Sequence, residues 1–458
     1  MLERYHYYNY RAFSFLKPRI TRRITVVGWM VAAAFLATGS MGLDTSNSLS
    51  YQTFSLLGCV LLAAFIGTCG RKVKMSVERT LPKFGSVGNR ITYEVTVHNN
   101  SKHTARGLRF FEQLPDPWPT FDEFALSREP DEHERNWFDR SHRYYRWRWL
   151  LTRNVRAGAK ERGLPDIPPH QSRTIQADMI PLRRGVLRLN GCVIARFDPL
   201  GLFRSLYPIK APHNILILPK LYTMPPFDLP GSTRYQQGGV SLASSVGESE
   251  EFVSLREYRP GDPMRRMHWK SFAKAGKPIV KEFQEEFFVR HALILDTFGE
   301  HQHSDIFEEA VSVAASLAFN FQNHDSLLDL MFVGAQAYCF TSGRGVAHTQ
   351  QMLEILASVQ LCFDKTFEAL ERSVINHCAH VSGAICIFLK WDEDRQRLVR
   401  ALNSRGIPLR VFVITGDDAK LDPGPLANEP TSFRVLPVGK IAERLNQTMP
   451  SAQLERAA

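Results

Sequence analysis

The stretch Gly247–Glu286, GESEEFVSLREYRPGDPMRRMHWKSFAKAGKPIVKEFQEE, is dense in charge and carries large apolar residues at short intervals. Its Pro260-Gly261 pair predicts a turn. Asp262-Pro263 has the residue types that are preferred at a helix N-cap and at the first helical position. We therefore predict a helix over Met264–Ala275, ended by Gly276.

The charged and aromatic side chains of this stretch leave two roles open. In a structural role, its basic residues pair with nearby glutamates and lock a linker to the next domain. In a binding role, they form an anchor patch for a partner, because Trp, Tyr and Arg are frequent at binding hot spots. Helical spacing would place Arg265, Trp269 and Phe272 on one face. The residues concerned are Glu248, Glu250, Glu251, Arg256, Glu257, Tyr258, Gly261, Asp262, Arg265, Arg266, Trp269 and Lys270.

The same stretch resembles the signature of a bacterial family known as domain of unknown function 58. The matching positions are Glu251, Phe252, Leu255, Arg256, Glu257, Tyr258, Pro260, Gly261, Asp262, Arg265, Arg266, Trp269, Ser271 and Ala273. Lys274 stands where the family usually has arginine, which keeps the charge and loses the planar fork. Upstream, RRGVLRLNGCVIARFDPLGLF (183–203) resembles the strand and turn that precede the signature in this family.

The overall composition is that of a folded protein of two or three domains, with 458 residues and a net charge of +11. Such a charge suits nucleic acid, an anionic membrane surface or acidic partners and does not choose among them. The seven cysteines are scattered and form no C-x-x-C pair. They therefore indicate neither a disulfide framework nor a zinc site, and favour a reducing compartment.

Two uncharged apolar segments, residues 24–43 and 53–70, are each about long enough to cross a bilayer. Basic residues precede the first and follow the second, whereas the link Asp44–Gln52 has neither lysine nor arginine. The positive-inside rule then predicts a two-pass hairpin in the bacterial inner membrane, with the N- and C-terminal segments in the cytoplasm. A buried helical hairpin in a soluble core is the alternative.

Residues 74–221 have the pattern of an antiparallel β-sandwich of immunoglobulin-like type. In Ile91–Val97, apolar and polar residues alternate, as in a strand with one buried face. Further short strands are predicted at Met75–Leu81, Gly107–Gln113, Ser172–Ile180, Gly185–Arg188, Cys192–Phe197 and Ile215–Leu218.

An insertion at about 121–169 interrupts the predicted sandwich, and in it arginines alternate with tryptophans and tyrosines. Three interpretations are open. The segment is a loop whose aromatic residues cover an edge of the sandwich, a segment lying on the membrane surface, or a nucleic-acid-binding segment in which bases stack on the rings.

The remaining chain is a polar linker, residues 222–246, the signature at 247–286, an α/β domain at 287–445 and a tail at 446–458. In the α/β domain, apolar strands alternate with amphipathic helices, which predicts a doubly wound sheet. The resemblance implies a von Willebrand factor A-like domain here. The expected fold class is thus an α+β multidomain membrane protein, in which residues 1–73 supply the transmembrane helical hairpin.

Domains of the von Willebrand factor A type coordinate a divalent cation through Asp-x-Ser-x-Ser after the first strand. Here the corresponding residues are Asp296-Thr297-Phe298-Gly299-Glu300, so that Phe298 and Glu300 replace both serines. Asp296, Glu300 and Asp392 remain as candidate ligands, with Mg²⁺ as the candidate ion, because Mg²⁺ prefers oxygen donors. Without hydroxyl groups we expect no metal. No hydrolase, phosphate-loop or zinc-protease motif is present in the sequence.

Members of the resembled family are typically linked to MoxR-type AAA+ ATPases and often to transglutaminase-like membrane proteins. The resemblance therefore implies a non-enzymatic, membrane-bound adaptor for such an ATPase. Two alternatives belong to other classes. One is a metal-assisted hydrolase at Asp296 and Asp392, and the other is a membrane-surface nucleic-acid-binding protein.

Overall fold

The computed structural model describes residues 2–41, 48–68, 74–130, 132–224, 251–262, 264–284, 289–299, 304–321, 326–342, 346–378, 381–429 and 431–446. Most of the predicted linker and tail therefore lies outside the described residues, as do Glu248, Glu250, Pro263 and Glu300. The chain divides into two compact units. One comprises Met1–Tyr222, Gly299–Ala315 and Leu353–Gln360, and the other comprises Thr223–Phe298, Ser316–Met352 and Leu361–Ala458.

Three helices open the first unit: α1 (Leu2–Arg23), α2 (Val26–Met41) and α3 (Ser48–Thr68). The rings of Phe35 in α2 and Phe54 in α3 stack with centroids 4.5 Å apart. The segment Leu49–Thr68 has a mean hydropathy of 1.8 and is long and apolar enough to cross a membrane, whereas the apolar part of α2 is shorter. Both predicted apolar segments are therefore helical, and α1 is a helix that the sequence interpretation treated only as a basic flank.

The β-rich part consists of two facing sheets. One has the order β1-β3-β7-β5, and the other has the order β2-β9-β8-β4-β6. The strands are β1 (Met75–Thr80), β2 (Phe84–Ser86), β3 (Ile91–Asn99), β4 (Leu108–Gln113), β5 (Ala157–Ala159), β6 (Arg162–Gly163), β7 (Ser172–Pro181), β8 (Gly185–Phe197) and β9 (Arg204–Leu218). Inward-facing residues of both sheets form one apolar core.

The predicted alternation of β3 is confirmed, because Ile91, Tyr93, Val95 and Val97 are buried and the residues between them face outward. The two short strands predicted within 185–197 are instead one continuous strand, β8. The register of β8 against β9 shifts between Leu189 and Gly191. This irregularity accommodates Asn190, the polar residue that separates the two predicted strands.

The first part of the insertion, residues 121–154, is mostly helical and not a loop, whereas residues 157–163 supply the strands β5 and β6. It holds α4 (Phe121–Leu126), a 3₁₀ turn (Glu132–Glu134), α5 (Trp137–His142) and α6 (Tyr144–Asn154). The first helix begins at a capping box, in which Thr120 accepts from the Glu123 amide and Glu123 accepts from the Thr120 amide.

The second unit contains the signature hairpin and a six-stranded sheet. The hairpin is β10 (Glu251–Glu257) and β11 (Ile279–Gln284), with α7 (Trp269–Ala275) between them. The sheet has the order β14-β13-β12-β15-β16-β17, and β14 alone among its described strands runs antiparallel to its neighbour. Its strands are β12 (Val289–Leu295), β13 (Ser326–Val333), β14 (Ala337–Ser342), β15 (Gly383–Phe388), β16 (Leu409–Thr415) and β17 (Phe433–Pro437).

Helices alternate with these strands along the chain, as the sequence predicts. They are α8 (Asp305–Asn320), α9 (Val346–Ser358), α10 (Glu368–His377), α11 (Glu393–Ser404) and α12 (Ile441–Asn446). The apolar faces of α10 and α11 join the strands β12, β15 and β16 in one buried core. The central strands are buried on both faces, which explains why β15 reads as an uninterrupted apolar run.

Candidate functional site: a buried strand-end aspartate and an exposed signature hairpin

Asp296 lies directly after the first strand of the α/β sheet, at its carboxyl end. Its backbone amide continues the pairing with β15 by donating to the Ile387 carbonyl at 2.9 Å. The side chain is fully buried. Its Oδ1 accepts from the Phe298 amide at 2.9 Å, and its Oδ2 accepts from the Leu389 amide at 3.2 Å. The carboxyl group is thus held by the loops that follow two neighbouring strands.

The charge of Asp296 is neutralised by Arg395, from the first turn of α11. The guanidinium Nε lies 3.0 Å from Oδ2, and Nη2 lies 3.2 Å from Oδ1. The remaining Nη1 donates to Asp392 at 2.8 Å. Asp392 is also the N-cap of α11, accepting from the Arg395 amide at 3.2 Å. One buried arginine therefore binds two of the three carboxylates that the sequence offers as metal ligands, Asp296 and Asp392.

This arrangement does not fit a divalent cation. A carboxylate accepts about four hydrogen bonds, and the Asp296 oxygens already accept four, two from backbone amides and two from Arg395. Phe298, in one of the former serine positions, is buried against the ring of Phe367. The hydroxyl of Thr297 donates to the Val333 carbonyl. Across the described part of the chain, no cluster of three or more His, Cys, Asp or Glu could hold a metal.

Asp392, a candidate second ligand in the sequence, is paired with Arg395 in the structure. Burial raises the pKa of Asp296, while the Arg395 guanidinium and the two amides favour its ionised form. The guanidinium also lies over the Phe367 ring, 4.2 Å from its centroid.

Sequence reasoning did not select Arg395. The sequence does hold a clue to this residue, because Arg395 lies in the first turn of a predicted helix. A cation there is unfavourable in the field of the helix dipole, which suggests that an anion pairs with it.

The signature turn is closed by a bidentate ion pair between Arg256 and Asp262. The two guanidinium nitrogens lie 2.7 and 2.8 Å from the carboxylate oxygens, and the Arg259 amide donates to Asp262 at 2.9 Å. The hydrogen bond with Arg256 is the main cause that lowers the pKa of Asp262 to about 2. Gly261 has φ of +110°, a conformation that favours glycine.

The predicted helix over 264–275 is wrong in its first half. Met264–Arg266 forms a 3₁₀ turn, and α7 begins only at Trp269. The cause is pairing with β11, since the His268 amide donates to the Ile279 carbonyl at 2.9 Å. Asp262 is consequently a turn residue and not the N-cap. The predicted end of the helix at Gly276 is confirmed, because Gly276 caps α7 with φ of +66°.

The hairpin presents aromatic and basic side chains to solvent. Trp269 is 61% exposed and meets the edge of the exposed Phe272 ring, with centroids 6.2 Å apart. Met264, Arg265 and Lys270 are also exposed. We call these five residues the signature patch.

The remaining signature residues are spread around the hairpin. Glu257 pairs with Lys277 at 3.4 Å, and Tyr258 is half-buried beside the β11 start, where its amide donates to the Pro278 carbonyl. Arg266 is half-buried. The side chain of Glu251 lies outside the described residues. Among the described contacts, Arg256 pairs with Asp262 and Glu257 pairs with Lys277, and the sequence interpretation named neither partner.

The fold and these two features define a mixed α+β protein. Its α/β sheet carries a strand-end aspartate that an arginine of the same chain neutralises, and a separate two-stranded hairpin carries the signature. Residues 254–430 match the family described as "Protein of unknown function DUF58". The predicted resemblance to domain of unknown function 58 is confirmed over this range.

A curated relative supports the same assignment. The "Uncharacterized protein YeaD" of Bacillus subtilis (strain 168) is 28% identical over 189 residues, which are 41% of this chain. The match spans 46% of the relative's length, so that about half of that protein has no counterpart in the alignment.

Two solved structures of one domain are also similar. A crystal structure of the CARDB domain of the PF1109 protein from Pyrococcus furiosus, in complex with di-metal ions, is 9% identical and has a TM-score of 0.16, covering 32% of this chain and 89% of that one. A solution NMR structure of the same domain covers 30% and 92%, again at 9% identity, with a TM-score of 0.13. At these scores the likeness carries no argument about this chain.

Proposed function

We propose that this protein is an inner-membrane-anchored adaptor that presents a cytoplasmic von Willebrand factor A-like domain to protein partners. In this role it works with a MoxR-type AAA+ ATPase in the assembly or maturation of protein complexes. The observation that carries the proposal is the exposed signature patch. An exposed tryptophan, arginine and lysine within one short stretch of chain have the composition of a binding hot spot.

The von Willebrand factor A-like assignment is supported by the arrangement of the second unit. Its strand order places the first strand, β12, in the interior of the sheet beside β13 and β15, with an aspartate immediately after it. In metal-dependent domains of this type, that aspartate helps to hold the cation that bridges to a partner's carboxylate. In this protein the Arg395 guanidinium takes the place of that cation. A partner must therefore bind at a different surface, and we assign this role to the signature patch.

The membrane anchor is supported by α2, α3 and their flanks. Arg22 and Arg23 precede α2, and Lys74 follows α3, which under the positive-inside rule places both flanks in the cytoplasm. The two-pass topology then puts the sandwich and the α/β domain on the cytoplasmic side, where an ATPase has access to them.

The identity of the partner rests on the family resemblance. The family's association implies a MoxR-type ATPase, and a transglutaminase-like membrane protein is the second expected partner. The two alternatives from other classes receive less support. Full hydrogen bonding of Asp296 disfavours a hydrolase at Asp296 and Asp392. The insertion aromatics that pack against α1 are unavailable for base stacking.

The test is to purify the wild-type protein and its variants Trp269→Ala and Arg265→Ala from detergent-solubilised membranes and to measure how much of the ATPase co-purifies with each. Truncating a hot-spot residue costs about 2 kcal/mol or more, so we expect about 30-fold weaker capture, since 1.4 kcal/mol is tenfold in affinity. Trp137→Ala is the matched control, because Trp137 is 76% exposed in the insertion, outside the signature patch. Capture of the ATPase at the wild-type level by a folded Trp269→Ala protein would refute the patch.

A further inference from the structure

Helix α1 has two faces with different surroundings. One face is bound to the insertion. Tyr7 is 4% exposed, and its hydroxyl donates to the Pro119 carbonyl at 3.1 Å. The Tyr10 hydroxyl donates to the His142 carbonyl at 2.9 Å, and the Trp147 indole N–H donates to the Ser14 hydroxyl at 3.0 Å. Tyr7, Phe124, Trp147 and Leu150 form a buried cluster. These contacts hold the inner face on the sandwich insertion.

The outer face of α1 is apolar and exposed. At 100° per residue, Tyr5, Phe13, Leu16 and Ile20 lie within about 60° of the point opposite to Tyr7, and Tyr8 lies at the edge of this face, about 100° from Tyr7. Phe13, for example, is 74% exposed. Each aromatic ring carries about 150–250 Å² of surface, so this stripe is a large area to leave in water. The outer stripe consists of Tyr5, Tyr8, Phe13, Leu16 and Ile20.

The charge of α1 is strongly positive. Six basic residues accompany one acidic residue, Glu3, which pairs with Arg143 of the insertion at 2.6 Å. The basic residues are Arg4, Arg11, Lys17, Arg19, Arg22 and Arg23. An apolar stripe within a basic helix is the pattern of helices that lie in the headgroup region of anionic membranes.

The position of α1 relative to the apolar helices is set by a turn of the sandwich. Between α1 and α2, the Thr25 amide donates to the Leu202 carbonyl at 3.0 Å, and its hydroxyl donates to the Gly201 carbonyl at 2.8 Å. At the end of α3, the Ser205 hydroxyl donates to the Thr68 carbonyl at 2.8 Å. The start of α2 and the end of α3 thus meet the same region of the sandwich, and α1 ends two residues before α2 begins.

We infer that the outer stripe of α1 lies in the headgroup region of an anionic phospholipid bilayer, while its inner face holds the sandwich against that surface. The inference rests on the proposed membrane anchoring by α2 and α3, and adds a lipid-contact surface that precedes them. Lipid is favoured over a protein partner because the stripe is surrounded by cationic side chains and is continuous in the chain with the apolar helix α2.

The test is photo-crosslinking of the full-length protein in nanodiscs. p-Benzoylphenylalanine replaces Phe13 on the outer stripe, Tyr10 on the inner face or the exposed Leu36 within α2, and lipid adducts are quantified by mass spectrometry. We expect adducts at Phe13 and Leu36 and few at Tyr10. Replacing phosphatidylglycerol by phosphatidylcholine should lower the Phe13 adduct several-fold and leave the Leu36 adduct unchanged.

The outcomes separate this inference from the anchor on which it rests. Adducts at Leu36 with no more adduct at Phe13 than at Tyr10 would overturn the inference and leave the anchor intact. Equal Phe13 adducts in both lipids would overturn the anionic specificity. Absence of adducts at Leu36 would overturn the anchor and the inference together. In native membranes, a Phe13 adduct with protein in place of lipid would assign the stripe to a protein partner and refute the lipid surface.

Discussion

Replacing Arg395 by methionine is expected to destabilise the α/β domain, because the substitution leaves Asp296 buried without its counter-charge. The guanidinium makes two hydrogen bonds to Asp296, at 3.0 and 3.2 Å, and both side chains are almost fully buried. Hydrogen bonds to charged groups contribute about 1.5–3 kcal/mol each, and removing one partner of a buried pair costs about 3–5 kcal/mol. We therefore expect the free energy of unfolding to fall by about 3–5 kcal/mol.

Loss of the ion pair between Arg395 and Asp392 adds little to this decrease in the free energy of unfolding. The Asp392 side chain is 38% exposed, so water can replace the arginine there. Two variants isolate the buried pair. Arg397→Met removes a half-exposed arginine of the same helix, which pairs with Glu371 and Asp394, and should cost much less stability, because water screens these exposed pairs. The double variant Asp296→Asn/Arg395→Met removes both charges and should recover much of the lost stability.

The assay is hydrogen–deuterium exchange of the full-length protein in detergent, read on peptides that cover residues 383–404. Exchange in such peptides reports the free energy of local opening. Arg395→Met should accelerate exchange there well beyond Arg397→Met. If the two single variants exchange alike, Arg395 does not neutralise a buried carboxylate, and the reasoning about the strand-end site is refuted.

Three further predictions follow from described contacts. Millimolar Mg²⁺ should leave the thermal unfolding midpoint unchanged, because the Asp296 oxygens are already fully hydrogen-bonded; a rise that disappears in Asp296→Asn would contradict this. The folded pKa of Asp262, about 2, lies below its ordinary value of 3.8, so its ion pair contributes stability above pH 3.8 that is lost as the pH falls toward 2. The difference in unfolding midpoint between wild type and Asp262→Asn should therefore shrink over that interval, and a difference that stays constant down to pH 2 would contradict the pairing. Trp147→Ala should cost about 3–5 kcal/mol and speed hydrogen exchange in α1, since this buried ring packs against Tyr7; the exposed Trp137→Ala is its control, and equal exchange in both would refute the docking of α1.

The regular elements were largely predictable because their signals are local. The alternation in β3 and the apolar runs of β15 and β16 depend on neighbouring residues, which share one environment along the strand. Where a local signal competed with a tertiary contact, prediction failed. The Asp262-Pro263 pair favours a helix start at Met264, but pairing of Met267 and His268 with β11 delays α7 to Trp269.

Local patterns in the sequence were enough to predict the apolar helices, the alternation of strands and helices, the absent serines after Asp296 and the family signature. The pairing of Asp296 with Arg395, 99 residues away, emerges only from the folded chain. The tertiary structure also decided which face of α1 is bound, since Tyr7 reaches Pro119 across 112 residues. The physical reason is the same in both cases. Periodicity and charge are properties of a segment, whereas the partner of a buried charge or ring is chosen by the fold that brings distant segments together.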